Sequence, residues 1–224
     1  MGGYTESLDI LEREFDGLLR VFDGLSDDHW RLPTKLEPID ASLPRWTLFE
    51  LAGHFDISIG LTRMLIADPQ AGQVGRDRVS FFIFPRSEVA PVVYDYAYTM
   101  VDGKRPADMP GVLRETFGQT IAESRAAASD TVGPGYYALM RLDEFVQSRV
   151  VEAVVHGLDL TDALGVDPIA TDEGVAMTAS ILDELLARRT VAGRPADLGD
   201  DLAWIRTASG RGMTHADARL PVIG

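Results

Sequence analysis

The stretch Leu142–Leu164, LDEFVQSRVVEAVVHGLDLTDAL, reads as the longest helix of the chain, stopped by Gly165 with Pro168 just beyond. Successive residues of a helix advance by about 100°, so Phe145, Arg149, Glu152, His156 and Asp159 share a sector of roughly 80°. Glu152 and His156 are four residues apart and project from one face on adjacent turns. A polar sector among Val150, Val151, Val154 and Val155 requires an explanation. Two ligands on adjacent turns can grip one cation.

Outward from this helix the chain is punctuated by further helical patterns. Leu8, Leu11, Phe15, Leu18, Phe22 and Leu25 alternate three- and four-residue steps, which predicts a first helix over residues 5–25. Residues 26–46 carry Pro33, Pro38 and Pro44 with no helical period and are expected to form a long ordered loop. A second helix, 47–67, starts clearly: Thr47 can cap it, Glu50 completes the capping box and Trp46 can staple to Leu51. Gly72, Gly75 and Pro85 make residues 68–86 a loop, and Glu88–Val101 is a helix weakened by Pro91. Pro110 opens a helix over 111–128, with Leu113, Phe117 and Ile121 on one side. Gly133, Pro134 and Gly135 break the chain before residue 142. Beyond residue 165, a helix from Asp172 to Arg189 capped by Thr171 and a short one over 201–207 precede a glycine- and arginine-rich tail. The pattern has no strand alternation and no repeat, so the fold class expected is all-α.

A third metal ligand must come from another helix. His54 is the best candidate, in line with Leu61 and Leu65 on the inward face of the second helix. Two neutral imidazoles and one carboxylate around a divalent zinc ion leave one positive charge and an open fourth position, the pattern of a catalytic site. Spacing alone leaves the bland reading open, because Glu-x-x-x-His pairs arise by chance and a histidine on an apolar face is commonly a hydrogen-bonded core residue. Arg149 is the candidate catalytic side chain, either binding an anionic substrate group or pairing with Glu152 or Asp143. Asp56 and Asp159 either orient the imidazoles or lie on a solvated face. His29 and His215 lie on no apolar helical face and are read as exposed or structural.

Composition bounds the chemistry. At 224 residues, 46% of them hydrophobic, the chain can bury one good core, and no apolar run approaches the ~20 residues of a membrane span. The N-terminus lacks a signal-peptide layout, so a cytoplasmic location is expected. A net charge of −14 without a basic stripe argues against nucleic acid and anionic membranes as partners. There is no cysteine, so any thiol in the chemistry comes from outside the chain. No glycine-rich phosphate loop, GxSxG elbow or HExxH pair is present.

Leu43-Pro44-Arg45-Trp46-Thr47-Leu48-Phe49-Glu50-Leu51-Ala52-Gly53-His54 resembles the approach to the metal-binding histidine in the mycothiol-dependent maleylpyruvate isomerase family, a branch of the DinB-like bundles. Arg149 to Leu160, followed by Ala163-Leu164-Gly165, is similar to that family's second metal segment. The resemblance covers about residues 5–165. It implies a DinB-like four-helix bundle over 1–165, zinc or another divalent metal held by His54, Glu152 and His156, and mycothiol as the thiol. Family members include isomerases and thiol S-transferases. The isomerase itself continues into an α/β domain, whereas residues 166–224 read as a short helical extension packed on the bundle, with Trp204–Arg211 and Leu220-Pro221-Val222 resembling the tail of shorter members.

The resulting expectation is a zinc enzyme in which mycothiol sulfur becomes the nucleophile toward a small electrophile, as a monomer or homodimer. A thiol-independent zinc hydrolase and a non-catalytic metal- and ligand-binding protein are the rivals. Arg206 or Arg211 is expected to reach the pocket mouth from the tail, since arginine suits carboxylate recognition.

Overall fold

The computed structural model describes residues 3–38, 43–212 and 214–223; Met1 and Gly2, and residues 39–42 of the loop expected over 26–46, lie outside the described residues. Seven helices carry the fold: α1 Tyr4–Asp23, α2 Leu48–Ala67, α3 Arg86–Val101, α4 Met109–Ala126, α5 Leu142–Leu164, α6 Asp172–Thr190 and α7 Asp201–Ala208. Helix α1 packs on α4 and α5, and α2 packs on the same two, which closes a ring of four helices. The α1 stripe is the inner face of that ring: Leu8, Leu11, Phe15, Leu18 and Phe22 are buried, and Phe15 stacks on Phe117 of α4 with ring centroids 4.1 Å apart.

Helix α2 starts where its sequence caps it. Thr47 Oγ1 accepts from the Phe49 N–H at 3.2 Å and the Glu50 carboxylate accepts from the Thr47 N–H at 2.7 Å. The preceding strand of loop is fixed by Thr34 N–H donating to Trp46 O (2.8 Å) and Leu48 N–H donating to Leu32 O (3.0 Å). Helix α3 lies against α2 at Gly53, where an added Cβ would stand 2.6 Å from the Ala97 carbonyl oxygen. It begins at Arg86, two residues before the expected start, and continues through Pro91, whose missing N–H removes one ladder bond.

The chain is mainly helical but not all-α. Strands β1 Val132–Pro134 and β2 Leu139–Arg141 form an antiparallel pair with Gly133 opposite Met140. Three residues are too few for period-two alternation to register in a sequence, so the Gly-Pro-Gly run read there as a simple break. Gly133 is required because β1 runs against α2: a Cβ would stand 2.2 Å from the Leu65 carbonyl oxygen.

The C-terminal helices share the same buried cluster, through Ile181, Leu185, Trp204, Ile205 and Val222. Glu14 of α1 ties down the α6 N-terminus, accepting from the Thr171 N–H (2.9 Å) and its hydroxyl, while Thr171 Oγ1 accepts from Gly174 N–H at 3.0 Å. Helix α5 ends at Gly165 in the left-handed conformation (φ 68°), as its sequence indicates. Among the described residues no helix is long and apolar enough to cross a membrane.

Candidate metal centre

Helix α5 presents Glu152 and His156, and α2 brings His54 against them. One donor atom from each lies within 4.8 Å of the other two. His54 Nε2 stands 3.3 Å and His156 Nε2 3.5 Å from the same Glu152 oxygen. The imidazoles meet edge to face with centroids 4.5 Å apart. Donors about 2.05 Å from a tetrahedral ion stand about 3.3 Å from one another, so these separations fit a tetrahedral cation site.

Proton placement sharpens that fit. His156 Nδ1 lies 2.8 Å from an Asp159 oxygen. The Asp159 carboxyl is pushed up by burial, but the nearby charge of Arg211 and the hydrogen bond from His156 bring it below the usual carboxylate range, so it accepts and His156 Nδ1 carries the proton. A neutral His156 then aims its Nε2 lone pair at the Glu152 oxygen. Glu152 is likewise ionised: burial would raise its carboxyl, and hydrogen bonds from His156 and His54, with the charge of Arg149, hold it well below its ordinary value. Two acceptors facing each other in a buried site require a positive charge between them. Without a metal, that charge is a proton on His156, whose basicity burial lowers but Asp159 and Glu152 more than restore. Burial, then the neighbouring His156, lowers the basicity of His54. Its Nδ1 is buried with no hydrogen-bond partner.

The centre opens on a cavity of about 660 Å³ lined by Trp46, Phe82, Tyr94, Glu152, His156 and Arg211, among others. Trp46, held at the foot of α2, stacks on Tyr94 of α3 (centroids 6.3 Å) and tilts over His54 (5.2 Å). Arg211 forks onto Asp159, with Nε 2.8 Å from Oδ1 and NH2 2.7 Å from Oδ2. Arg206 instead forks onto Asp162, with NH2 2.8 Å from Oδ1.

Arg149 is placed differently from either sequence reading. It is 1% exposed and does not line the cavity. Its guanidinium lies between the Phe81 and Phe145 rings, 4.6 Å from each centroid, and donates to the Ser58 carbonyl at 2.8 Å and to Ser148 Oγ at 3.1 Å. Asp56 accepts from Thr116 Oγ1 and orients no imidazole, so only Asp159 acts as an imidazole acceptor. His29 is exposed and accepts from Ser26 N–H; His215 lines the cavity but pairs with Asp197 at 3.0 Å. Neither joins the cluster. The aromatic wall escaped the sequence reading, although Tyr94 and Tyr98, four apart on α3 and hydrogen-bonded at 3.2 Å, were its available signal.

A family model described as the mycothiol maleylpyruvate isomerase N-terminal domain matches residues 11–161. No curated protein and no solved structure matches the chain.

Proposed function

Since the chain belongs to the family of the mycothiol maleylpyruvate isomerase N-terminal domain, we propose that it is a metal-dependent enzyme using mycothiol on a small electrophile, by S-transfer or isomerisation. In this reading α1, α2, α4 and α5 are a DinB-like bundle over residues 1–165, residues 166–224 are its extension, and His54, Glu152 and His156 hold one divalent ion, zinc by preference for this donor set. The observation that carries it is the His156 Nε2 lone pair aimed at an ionised Glu152 oxygen 3.5 Å away, in a buried site where a cation satisfies both.

A bound divalent cation would supply the positive charge that holds an entering thiol as its thiolate. The side chains do the rest. Glu152 contributes one negative charge and the two imidazoles none, so the donor set leaves a divalent ion one unit positive. Asp159 fixes the tautomer of His156, keeping Nε2 free as a donor. Trp46, Phe82 and Tyr94 cover the cavity with apolar surface, and its volume of about 660 Å³ has room for a thiol and a small electrophile together. Arg149 contacts neither, and its charge supports the ionised state of Glu152.

Metal analysis and cobalt substitution test this. Wild type should take up one divalent ion per chain, strongly weakened in His54→Ala, Glu152→Ala and His156→Ala and kept in His29→Ala and His215→Ala. The cobalt protein should gain a sulfur-to-metal charge-transfer band on adding mycothiol. Absence of metal uptake rejects the centre. Metal uptake without a sulfur band, with ester or amide hydrolysis in the absence of thiol, replaces the transferase reading by the hydrolase.

A further inference from the structure

The residues that hold the metal donors all fall inside the family-matched segment, yet about half of the cavity wall does not. Thr207, Ser209, Arg211, His215, Leu220 and Ile223 line it from beyond residue 161. Within that second half one side chain reaches the donor set. Arg211 meets both oxygens of Asp159, and its NH2 also stands 3.4 Å from His156 Nδ1.

The turn after α7 is shaped to deliver it. Gly210 takes a left-handed conformation (φ 74°), which a residue with a Cβ adopts only under strain. Arg211 N–H and Gly212 N–H both donate to the Arg206 carbonyl, at 2.7 and 2.8 Å. Arg211 NH1 donates to Ser209 O at 2.9 Å, which fixes the guanidinium plane. The end of the chain is laced over this turn by Val222 N–H and Ile223 N–H, both donating to Ala208 O.

Asp159 is only 2% exposed, so water does not hold its orientation. Its two oxygens are turned by Arg211, and one of them takes the His156 Nδ1 proton. We infer that Arg211 is a positioning residue of the metal centre: acting through Asp159, it holds His156 in the tautomer and orientation that present Nε2 to the ion, so that the extension completes the site. The inference rests on the metal reading above. It also assigns Arg211 a task other than recognising a substrate carboxylate, because both faces of its fork that point at Asp159 are already committed.

Zinc affinity by chelator competition, measured for Arg211→Ala, Arg211→Lys, Asp159→Asn and the double variant, tests it. Losing an outer partner of a ligating histidine costs about 10- to 100-fold in metal affinity. Arg211→Ala should show a loss in that range and Arg211→Lys a smaller one, since lysine keeps the charge and loses the fork. In the Asp159→Asn background the further loss from Arg211→Ala should vanish. Arg206→Ala, which breaks a similar fork on the same segment, should leave affinity unchanged. Wild-type affinity in Arg211→Ala, or independent losses that multiply in the double variant, would overturn the inference. Nitrogen NMR of the metal-free protein separates this from failure of the metal reading. Wild type should carry the His156 proton on Nδ1 and Arg211→Ala should redistribute it; an unchanged His156 signal overturns the inference whether or not zinc binds.

Discussion

Replacing Arg149 with methionine sets a buried cation against the metal it neighbours. The guanidinium is enclosed by two phenyl rings and α5, and Glu152 is the group whose charge favours its ionised form; burial opposes it and leaves its basicity lowered. Methionine fills similar volume and keeps much of the packing, so the main loss is electrostatic. Removing one partner of a buried charge pair costs about 3–5 kcal/mol. The lost charged hydrogen bond to Ser58 O, worth about 1.5–3 kcal/mol, is part of that figure and is not added to it. The metal-free Arg149→Met protein should therefore unfold in urea about 3–5 kcal/mol more easily than wild type. With saturating zinc the difference should shrink, because the ion takes over neutralising Glu152. By linkage the variant must then bind zinc more tightly than wild type, by the factor that corresponds to the stability regained. If Arg149→Met left the metal-free stability intact and instead raised KM for an anionic electrophile at constant kcat, the buried role would be refuted in favour of direct substrate binding.

Gly53→Ala should destabilise the protein by about 1–2 kcal/mol in chemical unfolding, overpacking of about 1–3 kcal/mol being partly offset by the better helix propensity of alanine. The clash is with a backbone carbonyl, so α3 must retreat and carry Tyr94 off the cavity wall; unchanged stability would contradict the close α2–α3 approach. Burial raises the Glu14 carboxyl, against hydrogen bonds from Thr171. A raised folded value means that its contribution is fully present below the unfolded value of about 4.3 and is lost as pH rises through the folded one. Glu14→Gln, which keeps an acceptor for Thr171 N–H, should thus gain on wild type between pH 4 and pH 7 in urea titrations; a pH-independent difference would exclude this.

The sequence speaks most clearly where local chemistry sets the structure. Thr47 and Glu50 mark the start of α2 because the cap is made by residues three apart, and Gly165 marks the end of α5 because a left-handed residue is needed there. The same local logic puts Glu152 and His156 on one face. Their meeting with His54 depends on how α2 crosses α5, which periodicity suggests only by showing which face points inward. The remainder is long-range. Nothing near Arg149 in the chain announces that Phe81, 68 positions away, covers its guanidinium, or that Ser58 receives it. Asp159 and Asp56 look equivalent on their helices, and only the placement of the tail gives the first to Arg211 and His156 while α4 gives the second to Thr116.

The loop between α2 and α3 is tied to the helices behind it at several points. Arg78 pairs with Glu144 of α5 at 3.3 Å and with Glu184 of α6 at 2.7 Å, and Asp77 pairs with Arg188 of α6 at 2.8 Å. These ties sit just before the turn Ser80–Phe82 that brings Phe82 to the cavity. A ligand arriving there meets a surface whose conformational freedom was surrendered when the chain folded. Less of its contact energy is then consumed in ordering the protein, and the preorganised wall favours compact, rigid electrophiles whose shape already matches it.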